Sequence, residues 1–250
     1  MMEVWAVKHY AELLRLRCFT RTDVVALTGS EKAADSLLTS YRKRGLIDLV
    51  RRGLWVVLGL DDGQPVASRY RIASAVAEDA CVSHHSAFEY HGLANQVLYE
   101  TYVSTNRRFA PFDYDGVSYR HVATRLRRGF SVQPDGVRVT DVERTVLDSI
   151  NDVDKIAGLE EVLACLSLVP VLDPDMLLDY LADYSKQALY QKTGFLLGLY
   201  ANQLRLPETF FTACEAHIGK GVSYVGNSSN GVYNRQWQLV VPQDLNQGGN

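Results

Sequence analysis

Apolar positions along the first sixty residues fall at helical spacing three times and then switch to short β-branched runs. Val4, Val7, Leu13, Leu14 and Leu16 outline a first amphipathic helix. Thr22 can cap a second, short helix through Val24, Val25 and Leu27, and Gly29 follows as a residue able to take positive φ in a tight turn. Ser30 caps a third helix that runs to about Arg44 and stops at Gly45, since glycine is preferred just beyond a helix end. Leu46–Val50 and Leu54–Leu58 flank Arg51-Arg52-Gly53 as a hairpin. Two short helices joined by a glycine turn, a longer helix and a hairpin make the plan of a winged helix-turn-helix.

The third helix is informative residue by residue. At about 100° per residue, Ala34, Leu37, Leu38 and Tyr41 share a stripe that must face the core. Lys32, Ser36, Thr39 and Lys43 cluster opposite it, with Asp35 and Arg42 on a flank. Short polar and basic side chains let a helix backbone approach base edges in a major groove. Lys32, Ser36 and Thr39 are therefore assigned to bases, and Lys43, Arg51 and Arg52, with Arg42 beside them, mainly to phosphates.

Beyond this head the pattern alternates. Asp61-Asp62-Gly63-Gln64-Pro65 combines turn formers and reads as a linker. Ser68–Ala80 is helical in pattern, and Ser83 can cap a helix over His84–His91. Leu98–Ser104, Val117–Val122 and Gly136–Val139 read as strands. Thr140 and Glu143 have the spacing of a capping box before a helix through Ile150. Helices also fit 155–168, 174–184 after the cap Asp173, 186–204 and 207–217, followed by brief strands at 222–225 and 237–241 around a turn at 226–230. The expected fold is α+β: a winged helix-turn-helix over 1–60, then a mixed α/β domain over 66–250, strand-containing to about 150 and mostly helical from about 151 to 220.

Charge sharpens this division. The chain of 250 residues carries a net −3, but its first sixty residues hold ten Lys or Arg against six acids, and the remainder holds 16 against 23. A basic head on an acidic body suits a module that seeks polyanions joined to one with another partner. At 47% hydrophobic and 22% charged, the chain has the composition of a globular protein rather than a disordered or fibrous one. Cys18, Cys81, Cys165 and Cys214 form no CxxC pair and are expected as reduced, buried thiols. With no signal-like start and no apolar run near the roughly 18 residues of a membrane span, a cytoplasmic protein without membrane association is expected.

Candidate chemistry is sparse. His85 and Glu89 lie one turn apart, but His84 and His91 are about 10.5 Å apart along a helix axis and cannot join one ion with His85. Neither a metal nor another cofactor is expected. No [DE]xK, Gly-x-Ser-x-Gly or phosphate-loop pattern occurs. The Asp-x-Asp pairs beginning at Asp113, Asp152 and Asp173 lack a Gly-Ser turn shortly upstream, so they read as turn and cap residues. No catalytic residue is assigned.

The order of certain segments resembles the AbiEi family of bacterial abortive-infection antitoxins and regulators. The resemblance rests on Arg51-Arg52-Gly53-Leu54-Trp55, Ser83-His84-His85-Ser86-Ala87, Glu89-Tyr90-His91-Gly92-Leu93 and Tyr102-Val103-Ser104. It continues through Val137–Asp141, Glu143–Asp148, Leu189-Tyr190-Gln191-Lys192 and Gly194-Phe195-Leu196. It implies an N-terminal module that binds double-stranded operator DNA and represses its own type IV toxin–antitoxin operon. It also implies a C-terminal domain that counters a nucleotidyltransferase toxin, without catalysis and without requiring a stable complex. A winged helix reads few base pairs, so a homodimer or paired monomers on repeated half-sites are expected. Two other readings stay open: a metal-dependent nuclease using His85, Glu89 and Asp115, and a winged helix serving as a protein-interaction module or a stand-alone regulator.

Overall fold

The structure is a computed structural model, and it describes residues 8–124, 126–153, 158–226 and 231–245. The head comprises α1 (Tyr10–Leu16), β1 (Cys18–Thr20), α2 (Arg21–Thr28), α3 (Glu31–Lys43), β2 (Ile47–Arg51) and β3 (Leu54–Val57). The expected first helix is present from Tyr10, and positions 1–7 lie outside the described residues. Its second helix is capped by Thr20 rather than Thr22. The Thr20 hydroxyl accepts from the Asp23 backbone N–H while Asp23 accepts from that of Thr20 at 2.7 Å, a reciprocal capping box. Ser30 caps α3 as expected. At the far end Gly45 takes φ 67°, and the amides of Gly45 and Leu46 turn back to the carbonyls of Arg42 and Tyr41 at 3.1 and 3.0 Å. These two bonds satisfy carbonyls that α3 would otherwise leave unpaired, and the left-handed φ favours glycine.

Ala34, Leu38 and Tyr41 of α3 are buried with Tyr10, Leu13, Phe19 and Val24, and Leu37 is half-buried against the same cluster. Three strands close this core in the order β1-β3-β2, all antiparallel. β1 was not expected, because three residues are too few to establish a two-residue period.

The body begins with α4 (Arg69–Ala75), β4 (Cys81–Val82), α5 (His84–Tyr90), β5 (Glu100–Thr105), β6 (Phe112–Tyr114), β7 (Val117–Ala123), β8 (Phe130–Val132), β9 (Arg138–Thr140) and α6 (Val142–Asn151). Its sheet runs β6-β7-β5-β4-β9-β8, with β5 parallel to β7 and β4 parallel to β9. The helix expected to reach Ala80 ends at Ala75. The capping box expected between Thr140 and Glu143 does not form. Asp141 caps α6 instead, accepting the Arg144 N–H at 2.8 Å. Thr140 ends β9 with its hydroxyl 2.7 Å from that of Thr145, and Glu143 reaches away to the backbone N–H of Asp173 at 3.0 Å.

The remainder comprises α7 (Gly158–Leu168), α8 (Pro174–Tyr184), α9 (Gln187–Gly198), α10 (Ala201–Leu204), α11 (Glu208–Glu215), β10 (Ser223–Tyr224), β11 (Gly231–Asn234) and β12 (Leu239–Pro242). Asp173 caps α8 as expected, accepting from the amides of Asp175 and Met176. The single helix expected over 186–204 is interrupted between α9 and α10. A small sheet, β10-β12-β11, carries Trp237 in the turn before β12, and its ring lies against Gly194 so closely that a methyl group there would come within 1.9 Å of it. The turn expected at 226–230 lies, except for Gly226, outside the described residues. The four cysteines are free and buried. Among the described residues, no helix is long and apolar enough to cross a membrane.

Head and body share a hydrophobic cluster. Cys18, Val50, Leu54 and Val56 from the head sheet pack with Ala67, Ile72 and Ala73 and with Tyr119 of β7. The expected linker is a tight loop, in which Gly59 donates to the Gln64 carbonyl at 2.8 Å and Gln64 donates to Asp62 at 2.9 Å. At about 25 cal/mol per Å² of apolar surface removed from water, such shared burial favours a fixed placement of the head.

Candidate nucleic-acid interface and buried polar centre

Side chains facing away from the stripe on α3 are free to meet something outside. Lys32, Ser36, Thr39, Arg42 and Lys43 are all exposed. A groove of about 640 Å³ separates α3 from the β2–β3 hairpin, with Thr39, Arg42 and Lys43 on one wall and Arg52 and Trp55 on the other. Arg42 lies 6.0 Å from the Trp55 ring centroid. The exposed acids on this side are paired: Arg21, the first residue of α2, grips Asp35 with two hydrogen bonds of 2.7 and 2.9 Å and reaches Glu31 at 3.3 Å. These hydrogen bonds hold the Asp35 carboxyl below its usual range. Arg21 and Trp55 were not assigned from sequence, and nothing in the local pattern distinguishes Arg21 from other surface cations.

The two hairpin arginines face different surroundings. Arg52 is exposed in the turn. Arg51 is half-buried, its guanidinium carbon 5.3 and 5.0 Å from the ring centroids of Phe109 and Phe112 in the body, with Nη1 buried and without a hydrogen bond. Arg51 therefore joins head to body through cation–π contacts.

A second polar region lies along the parallel pair β5 and β7. A cleft of about 770 Å³ holds Arg108, Arg120 and His121, and it shares Asn151, Asp152 and Lys186 with a deeper pocket of about 170 Å³. His84, Ser104, Asp148 and Tyr184 line the deeper pocket. Segments that carry the family resemblance converge here from β4, α5, β5 and α6. The Ser104 hydroxyl donates to Ser83, whose oxygen is 2.7 Å from His84 Nδ1, and His84 Nε2 faces Asp152 at 3.5 Å. His84 holds a left-handed φ of 56°. Both serines are buried, so this row presents no open nucleophile.

Arg144, only 1% exposed, sits 3.4 Å from Asp148 one turn along α6 and donates to the Arg128 carbonyl and the Thr124 hydroxyl. Burial works against the guanidinium charge, but the surrounding charges, Asp148 foremost among them, together outweigh it and raise its pKa. Tyr184 donates to Asp148, and burial followed by that carboxylate's charge pushes the phenol well above its ordinary range.

The remaining histidines have definite partners. His91 Nε2 donates to the Thr140 carbonyl at 2.7 Å. His85 is enclosed between Glu89 at 3.1 Å and Glu161 at 2.8 Å, and burial pushes its pKa below the imidazole range although Glu161 pulls the other way. Glu89 is also held by Arg69, the Tyr70 hydroxyl and the Leu98 amide. Asp115 stands in the exposed β6–β7 turn. Glu161, the unforeseen partner, lies 76 residues downstream of His85.

Residues 79–199 match the family model described as the AbiEi antitoxin C-terminal domain. The crystal structure of the RV2827C protein from Mycobacterium tuberculosis shares the α+β fold at a TM-score of 0.64 and 17% identity, over 96% of this chain and 92% of that one. No curated protein sequence matches the chain. The matched family is an antitoxin family and not a known enzyme family. The matched segment, residues 79–199, runs from just beyond α4 through the six-stranded sheet and the buried polar centre to the end of α9, and it is this part of the chain that is similar to the AbiEi antitoxin C-terminal domain family.

Proposed function

We propose that this protein is a DNA-binding antitoxin that represses its own type IV toxin–antitoxin operon in phage defence, its head working as a winged helix-turn-helix. Residues 1–60 form the DNA-reading unit in this proposal and residues 66–250 the antitoxin unit. The observation that carries it is the α3–hairpin groove, whose cations are exposed while its acids are occupied by Arg21. α3 enters the major groove with Lys32, Ser36 and Thr39 toward base edges. Lys43, Arg42 and Arg52 hold phosphates on either side. Arg51, committed to Phe109 and Phe112, sets the hairpin's angle to the body in place of the phosphate contact expected for it.

The body counters a cytoplasmic nucleotidyltransferase toxin and makes or breaks no bond itself. Two copies, as a dimer or as paired monomers, occupy repeated half-sites, because one winged helix reads too few base pairs for operator specificity. Fluorescence anisotropy with DNA from upstream of the gene tests the first half of the reading. Binding tighter than to scrambled DNA, with affinity falling as salt rises, is expected. Equal affinity for both DNAs at every salt concentration would remove it. Co-expression with a neighbouring nucleotidyltransferase gene tests the second half, with restored growth as the expected result.

A further inference from the structure

We propose that His85, Glu161 and Cys165 form a zinc site that ties α7 to α5 inside the antitoxin body. The inference is independent of DNA binding and of any toxin. Its basis is three donor atoms of different chemistry brought together by two helices. One atom from each residue lies within 4.8 Å of the other two, and all three residues are buried. Glu161 and Cys165 are one turn apart on α7 and so share a helix face, and His85 meets them from the first turn of α5. Nε2 of His85 is 2.8 Å from Glu161 Oε1, and Cys165 Sγ is 3.5 Å from the same oxygen. Zinc bound at its usual distances to nitrogen, oxygen and sulfur separates tetrahedral ligands by about 3.3–3.8 Å, so small side-chain shifts admit the ion.

Hydrogen-bond capacity points the same way. His85 has a carboxylate at each ring nitrogen, Glu89 at Nδ1 and Glu161 at Nε2. A neutral imidazole carries one N–H, so one nitrogen must face a carboxylate lone pair to lone pair. A cation at Nε2 removes that conflict and leaves the proton on Nδ1, which is buried 3.1 Å from Glu89 and otherwise without a hydrogen bond. A carboxylate on the outer nitrogen of a zinc-bound histidine is the usual orienting arrangement. Gln96 Nε2 donates to the other oxygen of Glu161 at 2.5 Å and fixes the carboxylate.

Charge balance agrees. With His85 neutral and Cys165 a thiol, Arg69, Glu89 and Glu161 leave one uncompensated negative charge among largely buried groups, which is costly in a dry interior. Zinc adds two positive charges, and Cys165 gives its thiol proton to solvent on forming the Zn–S bond, so the sum becomes zero. An imidazolium at His85 would also balance the charge, but it would give the sulfur no part. The sulfur is what selects zinc over magnesium or calcium. The three donors leave the fourth position to water.

The experiment uses the untagged full chain purified from zinc-supplemented culture, followed by replacement of zinc with Co²⁺. One zinc per chain is expected, together with a rise in melting temperature on adding Zn²⁺ to chelator-treated protein. The Co²⁺ form should show a near-ultraviolet thiolate charge-transfer band. That band should vanish in Cys165→Ser, persist in Cys81→Ser, and weaken with at least a tenfold loss of metal affinity in Glu161→Gln. Circular dichroism confirms that each variant is folded, and the wild-type metal content and spectrum stand even if a variant is not. Substoichiometric zinc with an unmoved melting temperature would overturn the site in favour of an imidazolium bridge. A charge-transfer band that survives Cys165→Ser would also overturn it.

Discussion

Arg52 and Arg144 carry the same side chain into opposite circumstances. Arg52 stands exposed beside a groove, whereas Arg144 is 1% exposed and held by Asp148, Thr124 and the Arg128 carbonyl. Lys32, Arg42, Lys43 and Arg52 on the head face are left exposed to a partner outside the molecule, and the charges of Arg144 and Asp148 in the body are consumed by one another. The difference teaches how to separate binding from architecture: an exposed cation can be removed at little cost to the fold, but a buried pair must be kept or replaced whole.

The sharpest way to break this contrast is Arg144→Ala. Removing the guanidinium strands Asp148 in the interior, and a loss of about 3–5 kcal/mol in urea unfolding is expected. A variant as stable as the parent would mean that the interior charges do not depend on each other. Gly194→Ala tests the body by volume rather than charge. Its methyl group meets the Trp237 ring, and about 1–3 kcal/mol of stability should be lost, read as a lower denaturant midpoint.

The neighbouring arginines sharpen the comparison further. Arg51→Ala should cost about 0.5–2 kcal/mol of stability through lost cation–π contact and leave the salt dependence of DNA binding unchanged. Arg52→Ala should do the reverse, lowering the salt slope by about one while stability stays within about 0.5 kcal/mol. A lowered slope for Arg51→Ala would return that residue to the DNA interface. The smallest effect concerns Asp35. Its pKa is lower in the folded chain, so the contribution of its pair with Arg21 is present above the unfolded value and is lost as pH falls through the folded one. A carboxyl NMR titration should place its midpoint below the unperturbed value of about 3.9, and Arg21→Gln should restore it.

Part of this molecule was determined locally. The stripe Ala34, Leu38 and Tyr41, the caps Ser30 and Asp173 and the turn at Gly45 follow from periods and spacings within about one helix length. Such features depend on neighbours in the chain, so they can be read from it. The tertiary structure decided the rest. β4, β6 and β8 are two or three residues long and exist because partner strands supply their hydrogen bonds, not because their own side chains alternate. Arg51 was separated from Arg52 by two phenylalanines 58 and 61 positions away, and His85 found Glu161 across 76 residues. Sequence alone set which surfaces had to be covered and which side chains could carry charge. Only packing chose which charges would meet, because the cost of burying an ion depends on partners that the chain brings together last.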